Sequence, residues 1–303
     1  MSGDTSRTPS PRQTQSYLRG LFEAHRVRLK SKLGQHFLID LNLLDLIVRA
    51  AELTRADLVL EVGTGTGSLT TRLAEHAGAV LTIEVDRDFH ALAGEAVRGQ
   101  DHVRLLHADA LKNKNQLNPD LLALLHEVRH QYRAQRVKLV ANLPYAVATP
   151  VISNLLLSDL PIERMVVTVQ WEIAEKLAAA AGGPEFGALS VLVQAVADVE
   201  ILRRVHPAAF WPRPAVDSGI VRIWPRPAKR AQVPDLLRFR GFLRDIYSHR
   251  RKNLRGAILS IPGRSRDKAW VDAKLAELGY TGTERAETLS VAQHLQLCEA
   301  VYV

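Results

Sequence analysis

Apolar positions along this chain follow two spacings, and the change from one to the other outlines an α/β fold. Tyr17, Leu18, Leu21 and Phe22 recur three to four residues apart and predict an amphipathic helix over about 15–29. DLNLLDLIVRAAEL repeats that spacing through Leu43, Leu44, Ile47 and Val48, with Asp40 placed to cap the helix. From residue 57 the pattern shifts. DLVLEV (57–62), AVLTIEV (79–85), HVRLLHA (102–108), RVKLVA (136–141) and RMVVTVQ (164–170) are apolar on both faces, with helical segments between them. Such strands belong in a parallel sheet covered by helices on each side. VEILRRV (199–205) and SGIVRIW (218–224) leave little room for a crossover helix, so an antiparallel pair should close one edge. Pro225 and Pro227 mark a linker, and residues from about 233 read as helices of a smaller domain. Residues 1–14, rich in Ser, Thr, Pro and Arg, have nothing to bury and read as a disordered tail.

The first of these strands runs into EVGTGTG. Gly63, Gly65 and Gly67 supply the tight turn and close backbone approach that a bound nucleoside requires at the mouth of a parallel sheet. The next strand ends in Glu84, 21 residues after Gly63, where a carboxylate can accept from ribose hydroxyls. The third strand ends at Asp109. One glycine loop and two strand-end carboxylates in successive units point to an adenosine-containing ligand. The GxGxG spacing departs from the GxGxxG fingerprint of dinucleotide sites. Glu61, just before the loop, suits a sulfonium and its amino group better than a diphosphate, which favours S-adenosylmethionine over NAD.

The fourth strand ends in ANLPYAVATP, placing Asn142, Leu143, Pro144 and Tyr145 at the same edge. An exocyclic adenine amine is a poor nucleophile because its lone pair is delocalised into the ring. An Asn oxygen and a backbone carbonyl held by the proline can accept its two hydrogens and aim the lone pair at a methyl group. That is catalysis by position and fixed dipoles, without a strong base. Tyr145 can stack on a flipped base.

Composition narrows the class. Of 303 residues, 47% are apolar and 24% charged, as in ordinary globular chains. No apolar run approaches the ~20 residues of a membrane span, and the N-terminus lacks a signal-peptide h-region, so a cytoplasmic location is expected. The single cysteine, Cys298, leaves no disulfide or CxxC chemistry, and the eleven histidines show no HExxH or paired Cys/His spacing, so no metal site is expected. The net charge of +8 is uneven: residues 201–303 carry nineteen basic and nine acidic side chains, whereas residues 1–200 are nearly neutral. A basic C-terminal third faces a polyanion in this reading.

KSKLGQHFLID (30–40), EVGTGTG, Glu84, Asp109, NLPY, FGALSVLVQ (186–194), AFWPRPAVDSGIVR (209–222), SHRRKNLR (248–255) and RAETLSVAQHLQL (285–297) stand in one order. Over about residues 30–300 this order resembles the rRNA adenine N6,N6-dimethyltransferases, most closely their bacterial small-subunit branch. The resemblance implies a class I, Rossmann-like S-adenosylmethionine-dependent methyltransferase with a small C-terminal helical domain. Its divisions would be a tail and short helix over 1–29, the methyltransferase domain over 30–227, and a helical RNA-binding domain over 228–303. It further implies dimethylation of two adjacent adenosines in a hairpin loop near the 3′ end of small-subunit rRNA, during 30S assembly, by a monomer without membrane attachment.

By position, the resemblance makes His36 and Leu38 cofactor contacts beside Gly63, Glu84, Asp109 and Asn142, although many relatives carry Asn where His36 stands. It makes Phe210 a second aromatic face for the target base, opposite Tyr145. Arg250, Arg251, Lys252 and Arg255 are expected on a helix and, with Arg203, Arg204, Arg213 and Arg222, to neutralise rRNA phosphates. The stretch between Asp109 and Asn142 is some ten residues longer than is usual in the family, and a basic helix covering the sheet is expected there. Two other functions share parts of this pattern: methylation of 23S rRNA in the antibiotic-resistance branch, and a noncatalytic RNA-binding assembly factor. A nicotinamide oxidoreductase shares only the glycine turn.

Overall fold

A computed structural model describes residues 13–30, 33–249, 251–263 and 266–302. Its centre is a seven-stranded sheet. The strands are β1 (Asp57–Val62), β2 (Ala79–Glu84), β3 (Val103–His107), β4 (Arg136–Asn142), β5 (Ile162–Gln170), β6 (Ala197–Val205) and β7 (Ser218–Pro225). Their spatial order is β3-β2-β1-β4-β5-β7-β6. The first five are parallel, and β7 enters antiparallel between β5 and β6. The expected antiparallel pair is therefore present. Strand order reverses between β1 and β4, and ligands of open α/β sheets bind outside the carboxyl ends of the strands at such a point.

Alternate residues of β1 explain the two layers. Leu58, Leu60 and Val62 pack with helices α5 (Pro119–Gln131), α6 (Tyr145–Leu157), α7 (Trp171–Ala178) and α8 (Ala188–Gln194) on one face. Val59 packs with α2 (Leu41–Ala51) and α3 (Ser68–His76) on the other. Asp40 caps α2, accepting from the N–H groups of Asn42 and Leu43. The apolar cluster beneath the first face continues into α10 (Leu236–Tyr247), α11 (Leu254–Leu259), α12 (Lys268–Glu277) and α13 (Val291–Val301), through Phe239, Phe242, Leu275 and Leu297.

Several local expectations change. Helix α1 spans Gln15–Ala24 and stops short of 29, because Arg26 takes a positive φ of 54° and returns Val27 to the Phe22 carbonyl. Residues 1–12 of the expected tail lie outside the described residues, but Gln13 is buried and Thr14 caps α1. At the expected linker, Pro225 ends β7 and Pro227 opens the short α9 (Pro227–Arg230). That passage is tied down, since Arg226 and Lys229 both pair with Asp198 of β6. The long stretch after Asp109 forms a small hairpin (Leu111–Asn113 with Gln116–Leu117) followed by α5, which covers the sheet through Leu121, Leu125 and Val128. The helix itself is not basic: Asp120 and Glu127 stand against Arg129, and Lys112 and Lys114 fall in the hairpin.

At the amino ends of β1 and β4, Asp57 is fully buried and meets Lys138 Nζ at 3.1 Å and Arg136 Nε at 2.7 Å. Burial opposes its charge, yet the Thr54 N–H, Lys138 and Arg136 outweigh that and hold the carboxyl below the usual range. Lys138 also donates to the carbonyls of Ala51 and Glu52, which ties α2 to the sheet. Removing Lys138 leaves the buried Asp57 to the half-exposed Arg136 and frees the Ala51 and Glu52 carbonyls, so Lys138→Met should cost about 3 kcal/mol in urea unfolding. Adding Asp57→Asn should recover part of that loss; an undiminished deficit in the double variant would contradict the account.

Candidate active site

At the carboxyl edge of β1 the chain must reverse into α3 within five residues. Gly63, Gly65 and Gly67 take positive φ values of 85°, 57° and 76°, a region that side chains rarely adopt. Space imposes the same choice. A Cβ on Gly63 would lie 3.0 Å from Pro144 Cδ, and one on Gly65 3.0 Å from the Phe37 ring. The glycine loop, the GQHFL segment and the NLPY turn therefore touch one another, and one cavity runs between them.

That cavity is lined by His36, Leu38, Glu61, Gly63, Gly65, Glu84 and Asp109, together with Asn142, Leu143, Pro144 and Tyr145. Gly67 stands just behind it as the N-cap of α3, with Ala93 and Ala96 of helix α4 (Arg87–Ala96) against its Cα. Glu84, the last residue of β2, accepts from Gly65 N–H at 2.9 Å through one oxygen and from Asp86 N–H at 2.9 Å through the other. Each oxygen keeps a lone pair for a ligand hydroxyl. Burial pushes the Glu84 carboxyl up, against the pull of those two N–H groups. Asp109 lies past the end of β3, exposed, and one of its oxygens accepts from Leu111 N–H.

Glu61 is the most perturbed acid of the site. It is 1% exposed, and burial pushes its carboxyl up to about 8 although the Thr70 hydroxyl donates to it at 2.6 Å. A buried carboxylate at a cavity wall, with no cationic side-chain partner among the described residues, suits a positively charged ligand, which would restore its ionised form.

Asn142 ends β4. Its Nδ2 donates to the His36 carbonyl at 2.8 Å, and because that partner can only accept, the amide orientation is settled. Oδ1 is thereby kept as an acceptor. Tyr145 opens α6, and its hydroxyl pairs with Ser218 of β7 at 2.7 Å, which fixes the ring. Burial raises its phenol, so the ring stays neutral. The His36 ring lies 5.5 Å from it, with its Nδ1 2.8 Å from the Pro212 carbonyl.

Phe210 is not at this cavity. It pairs with Leu38 in a two-stranded ribbon (Phe37–Leu38 with Phe210–Trp211) and is 1% exposed within an apolar cluster. The proline-flanked phenylalanine is core here, and His36 is the ring that faces Tyr145. The 248–255 segment differs from expectation in part: α10 ends at Tyr247 and Asn253 caps α11, so Arg251 and Lys252 stand between the two helices while Arg255 is on α11 as expected. Arg250 lies outside the described residues. Lys252 donates to Ser260, and Arg255 pairs with Asp272 and the Thr281 carbonyl. Arg204 pairs with Asp217 and covers Trp171; Arg222 pairs with Glu200 and covers Trp224. Arg203, Arg213 and Arg251 are exposed. Sequence reasoning missed Gln13, Phe37 and Thr66, which line the cavity without forming a motif of chemical residues.

Residues 26–301 match the family model described as Ribosomal RNA adenine dimethylase. The chain is 37% identical over 287 residues to the ribosomal RNA small subunit methyltransferase A of Pelotomaculum thermopropionicum, covering 93% of this chain and 95% of that one. Among solved structures, a dimethyladenosine transferase from Plasmodium falciparum superposes with a TM-score of 0.68 at 24% identity, over 85% of this chain and 94% of that one. The 23S rRNA methyltransferase ErmE superposes at 0.60 with 23% identity, over 88% and 99%. Both share the fold.

The raised Glu61 carboxyl makes the stability of the cofactor-free protein depend on pH. The native state holds a proton there that the unfolded chain releases near its ordinary value of 4.5, so stability falls as pH rises between about 5 and 8. Glu61→Gln should flatten that part of the profile and become the more stable form above pH 8. Parallel melting curves from pH 5 to 9 would contradict the assignment.

Proposed function

The chain belongs to the ribosomal RNA adenine dimethylase family, and on that premise we infer its working: it is an S-adenosylmethionine-dependent N6,N6-dimethyltransferase of small-subunit rRNA. The reading extends to two adjacent adenosines of the hairpin loop near the 3′ end, presented within a 30S assembly intermediate to a monomeric, cytoplasmic enzyme. What supports that extension is the ordered set of motifs from Lys30 to Leu297.

The residues fit the cofactor. Glu61 would face its cationic end, Glu84 would accept from the ribose hydroxyls, Asp109 would add a polar contact at the same edge, and Gly63 and Gly65 leave room for it against the loop backbone. His36 and Leu38 form the wall from the GQHFL side, and Gly67 holds the loop against α4. When bound, S-adenosylmethionine supplies a methyl group activated by its positive sulfur.

Asn142 carries the reading. Because its Nδ2 is engaged by His36, Oδ1 and the Leu143 carbonyl are the acceptors for the two hydrogens of the target amine. Drawing on both hydrogens turns the nitrogen lone pair out of conjugation and toward the methyl group. Pro144 fixes the carbonyl by ending the strand and abutting Gly63. Tyr145, held by Ser218, offers the stacking face. Such fixed acceptors act without reorganisation during the reaction. The exposed Arg203, Arg213 and Arg251 are the foremost candidates for phosphate contacts, while Arg204, Arg222, Lys252 and Arg255 would have to exchange present partners for phosphate.

Radiolabelled methyl transfer to undermethylated 30S and to 50S subunits, with mass spectrometry of the nucleosides, tests the function. Dimethyladenosine from 30S alone is expected; label confined to 50S would point to the resistance branch, and binding without label to an assembly factor. Asn142→Ala should lower kcat by about 10²–10³ while leaving cofactor affinity within a few-fold. A loss confined to cofactor affinity would remove Asn142 from the chemistry.

A further inference from the structure

Gln13 stands seventeen residues before the first recognisable motif, yet it lines the cofactor cavity. It is only 7% exposed. Its Nε2 donates to the Thr66 carbonyl at 3.4 Å, and its Oε1 accepts from the Thr66 hydroxyl. Thr66 lies between Gly65 and Gly67, so this reciprocal pair fastens the N-terminal segment to the glycine loop itself. The other end of that segment is held differently. Leu18 and Phe22 of α1 are buried with Phe89 and Leu92 of α4. The Phe22 ring lies 5.5 Å from Phe37, 5.3 Å from Phe89 and 5.5 Å from Trp211. Phe37 in turn sits over Gly65 and lines the cavity.

The two anchors differ in strength and position. The aromatic cluster excludes water along α1, whereas the latch is one amide and one hydroxyl at the end of a side chain that gives up considerable rotamer freedom to hold them. The latch therefore opens more readily than the cluster, and it opens beside the loop that receives the cofactor. Both Gln13 groups are used only when Thr66 presents its carbonyl and hydroxyl together, which ties the latch to one shape of the loop.

We propose that Gln13–Ala24 is a strap across the glycine-loop end of the cofactor cavity, latched by Gln13 on Thr66, and that Gln13 is a positioning residue governing cofactor retention and exchange. The proposal rests on the S-adenosylmethionine reading above. α1 acts as the fixed anchor and the Gln13 side chain as the releasable one, so the latch sets how long a cofactor or its demethylated product stays bound.

The test follows release of labelled S-adenosylhomocysteine from the full chain after mixing with excess unlabelled ligand. Gln13→Ala should speed release about tenfold, the effect of losing a pair of ordinary hydrogen bonds. It should raise KM for S-adenosylmethionine by a similar factor and leave KM for 30S subunits unmoved, a split that general loosening of the fold would not give. Gln13→Glu, which keeps only the acceptor, should fall between. Thr66→Val should match Gln13→Ala, and the double variant should release no faster than either single one. In the parent protein, S-adenosylhomocysteine should slow amide exchange across 13–24. Release within twofold of the parent in Gln13→Ala, or multiplicative effects in the double variant, would overturn the latch while leaving the cofactor reading intact. A parent protein that binds no S-adenosylhomocysteine would overturn both.

Discussion

The contact on which this molecule turns is the close approach of three backbone segments at the carboxyl edge of β1 and β4. Gly63 abuts Pro144 and Gly65 abuts the Phe37 ring, each so closely that a single added carbon would stand 3.0 Å from its neighbour. Positive φ at both glycines turns the loop into that space. Once the three segments meet, the His36 carbonyl is presented to Asn142, and the amide orientation that the proposed chemistry requires follows. The parallel sheet supplies the platform: β1 and β4 are adjacent where the strand order reverses, so loops from distant parts of the chain converge.

Charge is divided by location. Acidic groups at the strand ends, Glu61 and Glu84, are buried and resist ionisation, which suits the proposed cationic, hydroxyl-bearing cofactor. The basic surplus sits elsewhere, and much of it is already committed within the fold. Arg204, Arg222, Arg226, Lys229 and Arg255 each hold a carboxylate. These pairs lie at or near the surface, where each contributes little to stability and a phosphate can compete for the cation. The net charge of the C-terminal third therefore describes its field better than its contacts.

Periodicity made most of the fold legible. Continuous apolar runs marked β1, β2, β4 and β5 because burial on both faces leaves no polar alternation, the edge strand β3 was legible from its apolar run although it is only half-buried, and Asp40 was readable as a cap because its side chain acts locally. The failures are equally physical. SHRRKNLR has helical spacing, yet Asn253 accepts from Gly256 N–H and starts a new helix, a choice made by the packing of Leu254 and Ile258. Phe210 belongs to a recognisable motif, but pairing of its strand with Leu38 turns the ring into the core.

By itself the sequence determined the α/β layering, the glycine turn, the strand-end carboxylates and the NLPY turn at the edge of the sheet, since each depends on residue type and short spacing. Tertiary structure alone decided which groups meet across long separations. Asn142 and His36 lie 106 residues apart, and Gln13 and Thr66 lie 53 apart. No local pattern encodes such pairs, because they arise when the sheet order brings chain segments together and buried polar atoms must find partners there. For the same reason the elevation of Glu61 is invisible in EVGTGTG: it comes from what surrounds the carboxyl after folding.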